Sequence, residues 1–453
     1  MYWANFLHIY QPPIQNASIL NRIVKESYRK ITEGLLAHPK TKITLNINAG
    51  LTQMLAVNGY NDVIGNIKTL LERNQIELTG TAIFHSFLPK LSEEEIIRQI
   101  ILNNKINRKY FGLSYKPKGF FPPEMAYNPK IGKIVKDLGF SWIILDETAC
   151  PLEIDYSKTY QNSQGLGLFF RERSASFEIL SARVSSVKSF VAKFQPKIKN
   201  FQYLLTAMDG ETFGHHRPGL EEILWKIPNE STIKPVLVSE LSKLFPEKII
   251  IEPNTSSWAF VSEKGSQDNP FVRWDDQKNQ IHQKQWKLTN LAIAAVKKDG
   301  SKKTRNMLDK ALYSDQYWWA SAKPWWSLEM IEHGALLLYQ TILACKNKEE
   351  EILAKKLYLE IILLGFKWQR NGKIDRMSKE EDEEIRQQLS KNDTILTPEK
   401  CQELIISLEK QLRKATKEQQ YQQAEQIKKR IWELKDYQEN LKSLGVGETK
   451  VNQ

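Results

Sequence analysis

The sequence predicts an α/β protein built on a β/α barrel, with a helical region after it and an αα-hairpin near its end. Three observations carry this. Short apolar runs alternate with helical stretches over roughly the first 260 residues, which argues for parallel strands joined by crossover helices. Strand signals thin out after about residue 280 and helical periodicity takes over. Between 402 and 439 the apolar residues recur every three or four positions, the spacing of amphipathic helices.

The elements follow in order. Residues 2–10 (YWANFLHIY) read as a strand, 18–37 as a helix, 42–50 (KITLNINAG) as a strand and 60–74 as a helix. A strand is expected at 76–82, then a helix at 92–112 opened by a Ser–x–x–Glu capping box. Further strands are expected at 119–124, 141–147, 165–170, 201–211 and 248–253. Seven or eight strands in this length favour a closed barrel over an open doubly wound sheet. No GxGxxG or GxxxxGK[ST] follows any strand, which weakens a nucleotide-binding reading. Helices are expected at 282–298, 301–320, 326–346 and 348–370. The organisation is therefore a barrel at 1–260, a helical domain at 261–370, a polar linker at 371–397, a hairpin at 398–440 and a tail at 441–453. In the hairpin, Leu404, Leu408, Leu412 and Ala415 mark one stripe, and Tyr421, Ala424, Ile427, Ile431 and Leu434 the other, with a turn near 418–420.

Bulk properties exclude several classes. At 41% hydrophobic and 10% aromatic residues the chain can bury a large core. The net charge is +12, from 65 basic and 53 acidic residues, yet no compact Lys/Arg block occurs. A surface of mixed sign is expected rather than a nucleic-acid partner. The three cysteines, Cys150, Cys345 and Cys401, are far apart and form no CxxC, so a reducing, cytoplasmic setting fits. The start of the sequence lacks the pattern of a secretory signal, and no apolar run approaches a membrane span.

In a β/α barrel the chemistry sits at the C-terminal ends of the strands. Those ends are rich in polar groups here: His8, Tyr10 and Gln11 after the first, Glu77 and His85 around the third, Glu124 after the fourth, Asp146 and Glu147 after the fifth, and Asp209, Glu211, His215 and His216 after the seventh. Glu124 follows two prolines and two phenylalanines, a stiff and apolar mounting that restricts its backbone. The plain alternative for it is a helix cap or a surface ion pair. Asp209 and Glu211 share a face by period two, and either could be a second carboxylate. Two carboxylates across a sugar-sized cleft are the machinery of glycoside hydrolysis. Trp258 at a strand end and Trp318, in a run with Trp319, Trp325 and Trp326, are candidate platforms for sugar rings, with burial in a core as the competing reading. No His or Cys grouping has metal-ligand spacing: His215 and His216 are adjacent, and His38, His282 and His333 stand alone. No metal is expected.

Five segments, in order, resemble the signature regions of glycoside hydrolase family 57: HIYQPP (8–13), QIELTGTAIFHSFLPKL (75–91), GFFPPEMAYN (119–128), AMDGETFGHH (207–216) and ALYSDQYWWAS (311–321). The stretch from SSWAF through NPFVRWDDQKNQIHQKQW has the same look, and the similarity covers roughly residues 1–345. The resemblance implies a (β/α)7-type barrel followed by an α-helical bundle region, and a retaining enzyme acting on α-glucans or maltooligosaccharides, as an amylase or 4-α-glucanotransferase. A glucan-branching enzyme or an α-galactosidase is the alternative, and a glycan-binding scaffold the non-enzymatic one. It implies Glu124 as nucleophile, Asp209 as general acid/base, and His8, Glu77, His85 and Asp315 along the sugar sites; Gln11, Glu211, His215, Trp258 and Trp318, singled out above from strand ends and aromatic runs, are expected as further substrate contacts. It implies no cofactor. Two positions depart from the usual pattern: Tyr10 stands at the second histidine of the first signature, and Phe121 where tryptophan is usual in the third. Residues 408–435 (LEKQLRKATKEQQYQQAEQIKKRIWELK) resemble the UVR motif of bacterial excision-repair subunits, which implies protein–protein contact. A generic hairpin that packs on its own chain or self-associates is the alternative.

Overall fold

A computed structural model of the chain describes residues 1–259, 269–323, 325–380 and 398–417, with a few helical positions between 424 and 435. The architecture is mixed α/β, with half-barrel sheets followed by a helical region. The first sheet has the order β3–β2–β1–β8, where β1 is Tyr2–Ile9, β2 Ile43–Ile47, β3 Ile76–Leu78 and β8 Tyr203–Asp209. A short strand, β9 (Lys234–Val236), also pairs with the start of β1. The second sheet runs β10–β6–β7–β5–β4, with β4 Gly119–Phe120, β5 Trp142–Asp146, β6 Thr159–Gln161, β7 Gly167–Arg171 and β10 Lys248–Ile250. Every pairing is parallel except β6 with β7. Backbone hydrogen bonds join the sheets at both edges. Gly80 donates to Gly119 and Phe121 donates to Gly80, each at 2.9 Å, and Glu172 donates to Leu205 at 2.8 Å.

Strand periodicity decides what faces inward. On β1, Trp3, Leu7 and Ile9 pack under the surrounding helices, whereas Ala4 and Phe6 join Phe121, Trp142, Ile144, Phe169, Leu205 and Ala207 between the sheets. Continued by two residues, the inward set ends in His8 on β1, Asn46 on β2, Asp146 on β5, Arg171 on β7 and Asp209 on β8. Register puts His8 level with both Asn46 and Asp209, and Asp146 level with Arg171. The apolar interior thus stops at one layer, and a polar layer begins.

Several elements differ from the sequence-based expectation. The helix expected at 18–37 is interrupted by a π turn at Val24–Tyr28 between Ala17–Ile23 and Arg29–Ala37. The expected strand 119–124 ends at Phe120, because Pro122 and Pro123 carry the chain into a 3-10 turn. The helix expected at 301–320 stops at Ala311 and resumes only as Asp315–Trp318, since Tyr313 pairs with Ser86 in a β-bridge instead. The helices Gln280–Asp299, Leu328–Ala344 and Lys348–Arg370 form the rest of the helical region.

The chain divides into two compact units, Met1–Lys379 and Glu380–Gln453. Within the second, Pro398–Lys417 is one helix. Tyr421, the turn expected near 418–420, most of the linker (381–397) and the tail lie outside the described residues.

Candidate active site

Glu124 sits at the mouth of the strand ends in a left-handed conformation (φ 63°), which a non-glycine residue adopts only at a cost of about 1–3 kcal/mol. The two prolines before it and its hydrogen bonds hold it there. Trp258 Nε1 donates to Oε2 at 2.8 Å, Ser314 Oγ donates to Oε1 at 3.1 Å, and the Trp258 amide donates to the Glu124 carbonyl at 3.0 Å. Burial raises its pKa to about 8, with the charges of Asp315 and Asp209 adding to the push, while the Trp258 and Ser314 donors oppose it.

An aromatic wall lines one side. His8 and His85 stack with ring centroids 4.9 Å apart, Tyr10 lies 4.1 Å from His85, and Phe121 packs 4.7 Å from His8. Trp258 meets Phe121 and His8 edge-on. Arg171, paired with the buried Asp146 at 2.7 Å, lies 5.5 Å from the Trp258 ring centre and donates to its carbonyl. His8 Nδ1 faces Asn46 Oδ1 at 2.8 Å, and Asn46 Nδ2 donates to Thr79 Oγ1 at 2.8 Å. Burial lowers the pKa of both histidines, His8 to about 4 and His85 well below the usual range. Both are therefore neutral, and each keeps a buried Nε2 without a protein partner among the described residues.

Two more carboxylates, Asp315 and Asp209, act on Glu124, and a third, Glu211, acts with Asp209. Asp315 accepts from Tyr10 Oη at 2.6 Å, and burial raises its pKa to about 6. Asp209 ends β8 with its side chain open to solvent. Burial pushes its pKa up, Arg171 pulls it down and Asp315 pushes it up again. Glu211 is buried against Tyr28 Oη, Gln11 Nε2 at 3.0 Å and the Tyr10 amide at 3.4 Å. Burial and then Asp209 raise it.

The structure brings together most residues singled out in the sequence: Glu124, His8, His85, Asp315 and Trp258 by direct contact, Asp209 by register with His8, and Gln11 with Glu211 around Tyr10. Others stand apart. Glu77 lies one layer lower, accepting from Thr44 Oγ1 at 2.8 Å and from the Ser239 amide at 3.0 Å. His215 pairs with Glu26 Oε2 at 2.6 Å. Trp318 stacks between Trp274 and Trp325, at 5.2 and 5.9 Å. Among the described residues no group of His, Cys, Asp and Glu could hold a metal ion, and no helix is long and apolar enough to cross a membrane. Sequence reasoning missed Ser314, Asn46 and Tyr28. Ser314 adjoins Asp315 in a quoted segment, but Asn46 and Tyr28 carried no signal beyond strand parity and the unforeseen π turn.

Paired carboxylates are the groups that glycoside hydrolysis uses, and the sequence comparisons specify the family. Residues 4–252 match the profile of glycosyl hydrolase family 57. The chain belongs to that family. It is 23% identical over 294 residues to an alpha-amylase from Pyrococcus horikoshii, a match covering 59% of this chain and 45% of the relative. It spans about half the length of the curated relatives it matches. Its fold is similar to that of a 4-alpha-glucanotransferase from Thermococcus litoralis, with a TM-score of 0.61, 16% identity, and coverage of 76% of this chain and 59% of that one. It is also similar to a branching enzyme from P. horikoshii, with a TM-score of 0.63, 16% identity, and coverage of 80% and 93%.

Proposed function

We propose that the protein is a retaining glycoside hydrolase or transglycosylase that acts on α-glucans, as an amylase or a 4-α-glucanotransferase. The observation that carries this reading is Glu124. It is a carboxylate at a strand end, both of its oxygens are held by donors from separate parts of the chain, and Asp209 acts on its charge. In a retaining reaction one carboxylate attacks the anomeric carbon and forms a glycosyl ester. The other protonates the leaving oxygen, then takes a proton from the incoming water or sugar hydroxyl. Glu124 takes the first role because its oxygens are fixed. Asp209 takes the second because its side chain reaches the solvent from which the acceptor arrives.

Glu124, Asp209 and Asp315 crowd one cleft, and their mutual repulsion keeps a proton on the cluster at neutral pH. Burial favours that proton on Glu124, so the reactive arrangement, Glu124 ionised and Asp209 protonated, is the minor form of the singly protonated cluster, and the two donors on Glu124 raise its share. Activity should rise with pH as Glu124 ionises and fall as Asp209 loses its proton. The upward shifts place this bell on the neutral side of ordinary carboxylate titration.

The test is incubation of the purified protein with maltoheptaose and chromatography of the products. Shorter sugars alone define a hydrolase, and a ladder of longer and shorter sugars a transferase. Glu124→Gln should abolish turnover in a folded protein, because an amide cannot form the ester. Unchanged activity in that variant would remove Glu124 from the reaction.

Coarser features extend the reading. We take 1–260 as one (β/α)7-type barrel, supported by the seven parallel strands β1–β5, β7 and β8 and by the backbone bonds at both sheet edges. We take 261–370 as the domain that completes the site, supported by Ser314 and Asp315. The hairpin at 398–440 is proposed to mediate protein contact or self-association. The setting is proposed to be cytoplasmic, on the cysteine pattern.

A further inference from the structure

We propose that Ser314 is the positioning residue of this site, its hydroxyl shared between the Glu124 carboxylate and the His85 imidazole so that it aims the one and sets the tautomer of the other. The proposal rests on the reading of Glu124 as nucleophile and deepens it.

Ser314 is fully buried and tied to His85 twice. Its amide donates to the His85 carbonyl at 3.0 Å, and its Oγ lies 2.9 Å from His85 Nδ1. The bridge between Tyr313 and Ser86 fixes the two segments against each other. Its Oγ is also the donor to Glu124 Oε1. Both residues it holds are in the left-handed region, His85 at φ 56° and Glu124 at φ 63°. Such conformations persist where surrounding bonds over-determine them. Ser314 supplies a bond to each.

A hydroxyl has one hydrogen to give. The hydroxyl gives it to Glu124 Oε1, which leaves the serine oxygen to accept from His85 Nδ1–H. That leaves His85 Nε2 as a bare lone pair, and this nitrogen is buried without a partner among the described residues. His8 reaches the same state independently. Asn46 is oriented by Thr79, presents its carbonyl to His8 Nδ1, and leaves His8 Nε2 bare as well. Two stacked imidazoles thus each keep a bare, buried Nε2 that can accept but not donate. Without the Ser314 hydroxyl, Glu124 keeps only the Trp258 donor and can pivot about it. His85 Nδ1–H then faces Glu124 Oε1, 3.6 Å away in this structure.

The first measurement needs no substrate. Nitrogen NMR of histidine-labelled protein, in which His85 is one of seven histidines and is assigned from a His85→Asn spectrum, should show Nδ1 protonated and Nε2 bare. In Ser314→Ala that signature should be lost or mixed. An Nε2–H tautomer in the unaltered protein would overturn the proposal, whatever the activity assay gives. The second measurement is the pH profile of kcat/KM on maltoheptaose. The charged and titratable groups facing Glu124 are Asp315, Asp209, His85, His8 and Tyr10, with Arg171 behind Trp258, and none of these is replaced in the variant. Ser314→Ala should lower kcat about 10- to 100-fold with KM little altered, the size typical of a lost orienting partner. Its acidic limb should move to higher pH, because a donor that favoured the ionised carboxylate is gone. Ser314→Thr, which restores the hydroxyl, should restore both. An unmoved limb in a folded Ala variant, or a folded Thr variant that restores nothing, would reduce Ser314 to a packing role.

Discussion

Glu124 combines three conditions that rarely meet in one residue: a left-handed backbone, burial, and like charges nearby. Each is unfavourable to the folded chain, and together they make a pH-dependent contribution to stability. In the folded protein, burial and then Asp315 bring this carboxyl to about 8, against an ordinary value of 4.5. The folded chain therefore retains a proton that the unfolded chain releases between those values. Stability falls as pH rises through that window. Glu124→Gln removes this term. Its Tm should match that of the unaltered protein near pH 4.5 and exceed it by a growing margin towards pH 8; a margin that does not change with pH would show that Glu124 titrates normally. Tyr10 illustrates a second local effect. Standing where the family usually has histidine, it reaches across to Asp315 and gives that carboxylate a phenolic donor.

At the scale of elements, the helical region is fastened to the sheet region by a buried ion cluster. Arg98 meets Asp309 with two bonds, at 2.9 and 2.7 Å, and Arg305 bridges Glu95 and Asp309. Glu95 and Asp309 are almost fully buried. The helix Lys302–Ala311 that carries Arg305 leads directly into Ser314 and Asp315. Arg305→Met should cost about 3 kcal/mol by leaving Glu95 unpaired and lower Tm by roughly 5 °C, with a parallel loss of turnover as Ser314 shifts; thermal melts and the maltoheptaose assay on one preparation would check both. The strands that were legible in the sequence, such as β1, β5 and β8, are runs whose two faces are both apolar, as parallel strands between helices must be. Strands β6 (TYQ) and β9 (KPV) are three residues each and partly polar, too short for any period to register. The catalytic candidates were legible where local chemistry was unusual, as in Pro–Pro–Glu. Ser314 was not, because its meaning depends on His85, 229 residues earlier. Nor was the low position of Glu77, which follows from its pairing with Thr44 and not from its neighbours in sequence.

At the scale of the whole molecule, the division at Lys379 separates a unit holding every candidate active-site residue from one holding none. A chain ending at Lys379 should fold and convert maltoheptaose at the rate of the full chain. Loss of activity in that shortened protein, if it is folded, would show that the second unit contributes to the site. The sheets themselves are dominated by distant pairings: β1 waits for β8, two hundred residues later, before its second edge is covered. Topologies of this kind fold slowly, because loop closure precedes its reward. The serine that grips Glu124 adds a later step still. On the ribosome, the strands, Glu124 and Asp209 have all been synthesised before residue 314, so a nascent chain carries the sheet residues and an unaimed carboxylate. The last grip on that carboxylate would then arrive late, with the turn that joins the helix Lys302–Ala311 to the helix Asp315–Trp318, and would be missing from every shorter product of interrupted translation.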